Sequence, residues 1–417
     1  MTIVHPRTGD QPMSVLTEVG GDPRTSEIVS RVRSFIDEYV IPAEPALYAG
    51  GEAARPIMAE LQHRAKSEGL WAFPHPVEIG GQGMPLTQYV EVAEVVGRSE
   101  FGGTALGADT LLDALMLHRH GTRHARDRYL KGVVDGQFVP SYAMTEPGEA
   151  GSDPSRIRTR AVRDGGRWTI TGRKWFTSRA GEAAYTAVLC RTDPAAVTNN
   201  AAFTMFVVPT DSPGYELVRA LPILGHHSGQ WEVGYNDVKV DDEAVLGECG
   251  HGYDIVRERL ALGRVLRCMH WIGQAQRALD LMCHRLCSRI AFNTPLAHKQ
   301  LLQQHVFDTY MDISAGQALV RRAVAALEAG DTSIHGRVAI SAAKVGASRA
   351  FHGAADRAVQ VFGAEGLTDD TPLSYMFRHA RATRIYDGPD EIHIGLVGKL
   401  LIEDHQQGHD RRLAGLA

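Results

Sequence analysis

The hydrophobic pattern of this 417-residue chain changes its period twice, which limits the folds open to it. From residue 26 to about residue 135, apolar side chains such as Val32 and Phe35 recur at three- and four-residue steps, which is typical of helices. Between about 138 and 246, short alternating or apolar runs lie between Gly, Pro and Asp turns, which is typical of strands. Helical spacing returns from residue 252. The pattern predicts an α+β protein: helices, then a β-barrel or β-sandwich, then helices.

These changes of period divide the chain into five parts. We expect a disordered leader over 1–24, an N-terminal helical domain over 25–137, a β domain over 138–247, a C-terminal helical bundle over 248–403 and a tail over 404–417. The C-terminal part holds three long amphipathic patterns and a terminal one, which favours a four-helix bundle. In the N-terminal domain, Pro42 is expected to end the first helix.

Composition and charge narrow the classes of partner and compartment. A net charge of -5 and a pI near 6.4 argue against a nucleic-acid-binding protein. No apolar run approaches the length that crosses a bilayer, so we expect no membrane segment. Five cysteines, an odd number, favour free thiols in a reducing, cytoplasmic setting. Cys283, His284 and Cys287 have helical spacing but no second ligand pair, so no metal site is expected.

Asp387 lies in a short loop between the basic segment 378–381 and an apolar helix that runs to about Ile402. Gly388 and Pro389 fix a turn after it, and the apolar flanks keep bulk water away. These conditions suit a carboxylate that abstracts a proton. Taken by itself, such a stretch is more often a plain turn, and it is the rest of the chain that favours a catalytic base.

A second segment, 142–153, lies at the seam between the first helical region and the β region. It offers an apolar strand end, a hydroxyl and then a Gly/Ser turn whose backbone N–H groups can approach a phosphate closely. On composition alone, a surface turn is the more common outcome. The glycine-rich run 79–83 is not a dinucleotide fingerprint, because its third glycine is missing and no strand plainly precedes it.

Three separated motifs together resemble the acyl-CoA dehydrogenase family. They are the segment 142–153, the run Gly-Arg-Lys-Trp-Phe-Thr-Ser at 172–178 and the Tyr-Asp-Gly at 386–388. The similarity covers about residues 25–403 in the same order and spacing, on the same helical, β and helical layout. The form Asp-Gly-Pro-Asp-Glu at 387–391 is closer to one branch of the family, which includes eukaryotic members fused to a kinase-like domain.

The resemblance implies FAD-dependent α,β-dehydrogenation of an acyl-CoA thioester. It makes Asp387 the catalytic base that removes the α-proton while a hydride passes to the flavin, and Arg264 the catalytic arginine close to that base. Ser152, Tyr386 and Gly388 would contact the substrate. The implied partners are an electron-transfer flavoprotein as acceptor and further copies of the chain in a homodimer or homotetramer.

The resemblance also assigns two groups of residues to FAD. The first would border the flavin ring and pyrophosphate within one subunit: Tyr142, Met144, Thr145, Gly151, Ser152, Phe176 and Ser178. The second would hold the adenine half of a neighbouring subunit's FAD: Arg289, Phe292, Gln300, Gln360, Gly363 and Ala364.

This sequence departs from the common family pattern at several of these positions. The base is Asp387 where most members have glutamate, and its arm is one methylene shorter. Gly263 occupies the position at which some members carry the base instead. Phe176 and Ser178 stand where most members have Trp and Thr, and Ala364 replaces a glycine.

Two alternatives stay open at this point. One is an acyl thioester oxidase, or a biosynthetic desaturase that acts on a carrier-protein thioester. The other is a flavin-bearing DNA-associated protein on the same fold, which the net acidic charge makes less favoured.

Overall fold

The computed structural model describes residues 22–196 and 199–406. The predicted leader and tail lie largely outside these described residues. The first helix begins at Pro23, and the last helix ends at Gln406.

The N-terminal part is helical, as its pattern predicts. Its helices are α1 (Pro23–Phe35), α2 (Ile41–Ala49), α3 (Gly51–Ser67), α4 (Leu86–Val96), α5 (Gly102–Ala105), α6 (Leu111–His120), α7 (Arg123–Ala125) and α8 (Lys131–Val134). The expectation that Pro42 ends the first helix is wrong. A π-helical turn, Ile36–Val40, joins α1 to α2, and Pro42 lies in the first turn of α2, where its missing N–H costs no hydrogen bond.

The central part contains eight strands of one sheet in the described residues. They are β1 (Val139–Ala143), β2 (Arg160–Asp164), β3 (Arg167–Ser178), β4 (Ala183–Arg191), β5 (Phe203–Pro209), β6 (Tyr215–Ile223), β7 (His226–Asp241) and β8 (Val245–Leu246), with the short helix α9 (Asn199–Ala202) before β5. The order is β6-β7-β3-β2-β4-β5-β8, and β1 pairs with β4 in parallel.

Strand β4 shows how this sheet separates two cores. Val188 packs in the cluster inside the sheet, whereas Ala187 and Leu189 pack in a second cluster with α6 and the helix that follows β8. Inside the sheet, the rings of Trp168 on β3 and Phe206 on β5 lie 5.1 Å apart. Since β2 and β4 separate these two strands in the sheet, the sheet curls around its own apolar face.

The C-terminal part is again helical. It contains α10 (Gly252–Ser288), the two-strand ribbon β9 (Ile290–Ala291) and β10 (Thr294–Pro295), α11 (Gln300–Glu328), α12 (Ile334–Phe362), α13 (Leu373–Thr383) and α14 (Asp390–Gln406). Helices α10, α11 and α12 pack on one another, and α13 and α14 pack on α12.

Helix α10 joins this bundle to the N-terminal helices in one apolar core. It crosses α4 at Gly273, where an added Cβ would lie 2.0 Å from the carbonyl oxygen of Glu94. Only glycine permits so close an approach of two helix backbones. The crossing fixes α10, from which several of the site residues described next project.

Candidate active site

The loop between α13 and α14 is held in place from behind by a buried carboxylate. Asp390, at the start of α14, accepts a hydrogen bond of 2.8 Å from Arg384 and lies 3.4 Å from the ammonium of the fully buried Lys344 on α12. Burial alone would raise the pKa of Asp390, but the hydrogen bond from Arg384 and the charge of Lys344 outweigh it and lower that pKa. The Asp390 carboxylate therefore anchors both ends of the loop.

Asp387 lies at the half-buried turn of this loop in a left-handed conformation, with φ of 57°. Its backbone carbonyl accepts a hydrogen bond of 2.9 Å from Arg264 Nε and lies 3.2 Å from His393 Nε2. Gly388 follows with φ of 98°, and a Cβ there would lie 2.7 Å from His393 Nε2. The backbone around Asp387 is thus set by α10 on one side and α14 on the other.

The carboxylate of Asp387 forms a separate contact with α10. Its Oδ2 lies 2.7 Å from Arg267 Nε, and its side chain is 19% exposed. The charge of Asp387 raises the pKa of Arg267. Since Arg264 and Arg267 are one helical turn apart, the same face of α10 holds both the carbonyl and the carboxylate of one residue.

Tyr386 turns to the interior and closes a polar cluster below the loop. Its hydroxyl accepts a hydrogen bond of 3.2 Å from Trp271 Nε1 and lies 2.9 Å from His379 Nε2. The other nitrogen of His379 lies 2.6 Å from Glu100 Oε2, and His270 lies 3.7 Å from the same oxygen. Burial would raise the pKa of Glu100, but the two histidines outweigh it and lower that pKa.

A buried ion pair fixes the second predicted segment, after strand β1. The ammonium of Lys174 on β3 lies 2.9 Å from Glu146 Oε1 and donates a hydrogen bond of 2.8 Å to the Met144 carbonyl. The backbone N–H groups of Arg158 and Thr159 donate to the same Glu146 carboxylate. Burial lowers the pKa of Lys174, and Lys174 lowers the pKa of Glu146 against the effect of burial.

Segments 142–153 and 172–178 meet at one short contact. The N–H of Trp175 donates to the carbonyl of Thr145 at 3.0 Å. An irregularity in the β3–β7 pairing lies between Lys174 and Thr177, and within it Phe176 has φ of 50° and is 45% exposed. A bulge of this kind turns a side chain out of the sheet, which places Phe176 beside the end of β1.

Segment 142–153 contains a tight turn and an exposed hydroxyl, and segment 172–178 ends in another exposed hydroxyl. An added Cβ on Gly151 would lie 2.9 Å from Thr145 Cγ2, so the turn folds directly onto Thr145. Ser152 is exposed, and the exposed Ser178 hydroxyl lies within hydrogen-bond distance of Gln230. The turn therefore leaves its backbone open to solvent, as a phosphate-binding turn requires.

Tyr142 on β1 connects this segment to α10 and to the loop. The guanidinium of Arg259 lies 4.5 Å from the centre of its ring and pairs with Asp113 at 3.1 Å. Burial raises the pKa of Tyr142, the charge of Arg259 lowers it, and the charges of Asp113 and Asp387 raise it.

The second group of predicted cofactor residues lies elsewhere, where α10 and α12 end. Arg289 lies 3.3 Å from Glu365, and Glu365 also pairs with Arg285 at 2.8 Å. Phe292 is 93% exposed with φ of 53°. The four remaining members of this group are also exposed: Gln300, Gln360, Gly363 and Ala364. We refer to these six predicted residues as the distal surface.

Comparison with known proteins identifies the family to which this arrangement belongs. Three family models match the chain: the acyl-CoA dehydrogenase N-terminal domain over 22–137, the middle domain over 141–238 and the C-terminal domain over 250–402. The Mycobacterium tuberculosis protein named "Probable acyl-CoA dehydrogenase FadE2" is 35% identical, over 89% of this chain and 93% of its own length. The chain belongs to the acyl-CoA dehydrogenase family.

Two further comparisons describe the relation of this family member to others. Acyl-CoA dehydrogenase family member 11 of Rattus norvegicus is 33% identical over 91% of this chain, and the chain spans about half of that protein's length, 51%. The structure of butyryl-CoA dehydrogenase from Megasphaera elsdenii aligns with a TM-score of 0.80 at 25% identity, over 92% of this chain and all of the other. The predicted α+β fold is confirmed, and the chain is an FAD-dependent oxidoreductase.

The sequence predicts Asp387 and Arg264 as site residues, and the structure places three further side chains around them. Arg267, His393 and Lys344 were not among the predicted site residues. For Arg267 a signal exists, since a second arginine one turn after Arg264 in an apolar helix marks the same face. Lys344 and His393 come from α12 and α14, and only the packing of those helices brings them to the loop.

Within residues 22–196 and 199–406, every helix is too short or too polar to span a lipid bilayer.

Proposed function

We propose that this family member dehydrogenates an acyl-CoA thioester between its α and β carbons, with Asp387 as the base. The observation that carries the proposal is the double attachment of Asp387. Arg264 holds its carbonyl at 2.9 Å, and Arg267 lies 2.7 Å from its carboxylate. A carboxylate fixed in this way on a partly exposed turn is positioned to take a proton from a bound substrate.

The protein's part in the reaction follows from these contacts. The Asp387 carboxylate would take the α-proton, and negative charge would develop on the thioester oxygen. The backbone N–H of Asp387 is our candidate donor to that oxygen, because its peptide is already fixed. FAD, when bound, accepts the β-hydrogen together with its electron pair. Tyr386, Gly388 and Ser152 are proposed to contact the substrate.

The shorter arm of the base fits the backbone conformation that the loop adopts. An aspartate reaches one methylene less far than a glutamate, so its backbone must lie closer to the substrate. The left-handed conformation of Asp387 is fixed by Arg264 and by the tight packing of Gly388 on His393. Gly263 is buried against Leu112 and supplies no carboxylate, so we assign the proton transfer to Asp387.

The residues of β1 and β3 fit a flavin. Tyr142, Met144 and Thr145 are half-buried at one strand end, Phe176 projects beside them, and Gly151 folds onto Thr145. A flat apolar ring and a phosphate need neighbouring surfaces of these two kinds. We assign the ring to the first three residues and Phe176, the pyrophosphate to Gly151 and Ser152, and a flanking contact to Ser178.

The distal surface lies well away from the proposed base. Gln360 is sixteen residues after Lys344 on α12 (360 minus 344), and Lys344 adjoins the loop anchor Asp390. At a rise of about 1.5 Å per residue, this separation is about 24 Å along the helix. We propose that the distal surface binds the adenine half of FAD in a second copy of the chain, within a homodimer or homotetramer.

Anaerobic reduction of the flavin tests the proposal. We expect the wild-type protein to purify with FAD and to lose its oxidised-flavin absorbance when butyryl-, octanoyl- or palmitoyl-CoA is added. The Asp387→Asn variant should keep FAD and bleach at least about a thousandfold more slowly, because an amide cannot take the proton. The matched control Asp127→Asn, at an exposed position, should bleach like the wild type. Bleaching of Asp387→Asn at the wild-type rate would remove the base from this proposal.

The acceptor and the thioester carrier are tested separately. We propose an electron-transfer flavoprotein as acceptor, so the reduced enzyme should reoxidise faster with that protein than with oxygen. Peroxide release at the rate of turnover would instead show an oxidase. Faster bleaching by a carrier-protein thioester than by the matching CoA thioester would show a biosynthetic desaturase.

A further inference from the structure

Two arginines on one turn of α10 hold different parts of the same residue. Arg264 donates to the carbonyl oxygen of Asp387, and Arg267 pairs with the carboxylate. Arg264 and His393 fix where the backbone of Asp387 lies. Neither of them contacts the side chain, and Arg267 is the cation that does.

The two oxygens of the Asp387 carboxylate have different surroundings. Oδ2 is buried, and it lies 2.7 Å from Arg267 Nε. The 19% exposure of the side chain therefore belongs to its other atoms, which leaves Oδ1 as the oxygen open to a substrate. The Arg267 side chain is itself 50% exposed, and its guanidinium lies 5.5 Å from the centre of the Tyr386 ring.

We propose that Arg267 is a positioning residue that keeps Asp387 ionised and turns Oδ1 toward the substrate. This inference rests on the proposed role of Asp387 as base. A half-buried carboxylate loses hydration, which favours the protonated form that cannot act as a base. A guanidinium in contact with one oxygen offsets that loss. It also removes the rotational freedom of a short side chain whose reach leaves little tolerance.

The other ionisable groups around Asp387 do not replace Arg267. On α10, Arg264 is engaged with the carbonyl, and burial raises the pKa of Cys268, so this thiol stays neutral. The other groups that face the loop are Lys344 on α12, His393 on α14, Tyr386 in the loop and Tyr142 on β1.

None of these four groups forms an ion pair with the carboxylate. The charges of Lys344 and Asp387 act on each other, but Lys344 is paired with Asp390. Burial lowers the pKa of His393 to about 4, so this side chain is neutral at pH 7. Burial raises the pKa values of Tyr386 and Tyr142, which also remain neutral. In the described part of the chain, Arg267 is thus the cation in ion-pair contact with the base, and the charge of Arg264 adds to its effect.

Infrared spectroscopy of the FAD-loaded enzyme tests the inference without turnover. The Asp387 carboxylate band is obtained by subtracting the spectrum of Asp387→Asn, and it is followed as a function of pH. In Arg267→Gln and Arg267→Met we expect this band to disappear at a pH about one unit or more above that of the wild type, because loss of the cation favours protonation. Arg267→Lys should restore most of the difference.

The pH profile of kcat/KM gives the second readout. Its acid limb should move to higher pH in the Gln and Met variants by the same amount as the infrared band, and the loss should be smallest at high pH. Arg163→Gln, which removes a half-exposed arginine paired with Asp242 on the β domain, should change neither readout. A purely structural role of Arg267 would lower activity equally at every pH.

The outcomes separate this inference from the proposed function. If Asp387→Asn abolishes flavin bleaching but the Gln and Met variants titrate like the wild type, the role of Arg267 is overturned and the base remains. If Asp387→Asn bleaches normally, the proposed function fails, whatever the infrared result. If either neutral variant does not fold, the other one decides, since Met keeps a long side chain beside the Tyr386 ring and Gln keeps hydrogen-bonding capacity.

Discussion

Asp387 and Gly388 are consecutive residues with positive φ, and the first is not a glycine. Such a conformation costs of order 1 kcal/mol for a residue with a side chain, and it persists only where its surroundings enforce it. Here Arg264 and His393 contact the Asp387 carbonyl from opposite sides. The strain lies at the residue that is proposed to do the chemistry, and these contacts hold its carboxylate in one position.

Gly388→Ala should disturb that position directly. Its Cβ would lie 2.7 Å from His393 Nε2, and its φ of 98° is one that L-residues rarely adopt. We expect kcat/KM to fall by at least about tenfold and the free energy of unfolding to fall by about 1–3 kcal/mol. Steady-state kinetics and thermal unfolding measure the two effects.

Gly398→Ala in α14 is the matched control. An added Cβ there has no neighbour within 4 Å. We expect unchanged activity and a stability gain of up to about 1 kcal/mol, since alanine favours a helix. Equal losses in both variants would show that the effect at Gly388 is not a property of the loop.

At this scale the sequence predicts residue types better than contacts. The Asp-Gly-Pro turn and the Arg264 position follow from motif and spacing. The partners of Asp390 do not, because Lys344 lies 46 positions away in an Ala-rich helix and meets Asp390 only through the packing of α12 on α14. A lysine on such an apolar face is a sign of a buried pair, but the sequence does not name its acidic partner.

Helix α10 is the element that organises the site. Over 37 residues it packs on the N-terminal helices, on the sheet and on the rest of the bundle, and it projects Arg259, Arg264, Arg267 and Trp271 toward Tyr142 and the loop. Its crossing with α4 at Gly273 is close. Glu94, on α4 beside this crossing, carries a buried carboxyl whose effect on stability can be measured.

The fully buried Glu94 should make stability depend on pH. Burial raises the pKa of its carboxyl from 4.5 to about 7, although Oε2 accepts a hydrogen bond of 3.0 Å from Gln317. Between these two pH values the folded state keeps the proton and the unfolded state loses it. Stability should therefore fall by about 3 kcal/mol as pH rises from 4.5 to 7.

Glu94→Gln removes this titration. Relative to the wild type, the variant should gain stability steadily from pH 4.5 to 7 and change little above that range. Chemical denaturation at a series of pH values measures the difference. Parallel curves for the two proteins would contradict the raised pKa of Glu94.

The order of elements was predictable because helices and strands differ in hydrophobic period. The described residues before Val139 are helical, the sheet strands lie between Val139 and Leu246, and long helices follow from Gly252, which is the order that the changes of period predict. Pro42 was misleading, because a π-helical turn ahead of it lets the helix continue to Ala49. The curl of the sheet was also beyond prediction, since it depends on contacts such as Trp168 with Phe206 between strands that are not neighbours.

For the whole molecule, the two predicted groups of cofactor residues lie on different parts of the fold. The first lies on and beside strands β1 and β3, whereas the distal surface lies where α10 and α12 end, about 24 Å along α12 from Lys344. Exposed apolar side chains around the distal surface, among them Ile290, Phe292, Leu301 and Leu367, are available to pack against another copy. Each complete FAD site would then need two subunits.

Mixing two inactive variants tests that arrangement. Gly151→Val forces a side chain onto Thr145, and Arg289→Glu reverses a charge of the distal surface, so each variant alone should retain little FAD. When the two are co-expressed, half of the random dimers are mixed and one of their two sites is intact, which restores FAD to roughly one quarter of all sites. No recovery of FAD in the mixture would contradict sharing between subunits.

The most direct test of the whole account follows the proton that Asp387 is proposed to remove. The enzyme is reduced and held without an electron acceptor, a saturated acyl-CoA is added in deuterium oxide, and the deuterium content of its α-carbon is measured by mass spectrometry. The wild type should incorporate α-deuterium, and the Asp387→Asn variant, with equal FAD content, should incorporate none above the rate in buffer. Incorporation by that variant at the wild-type rate would show that another group removes the proton.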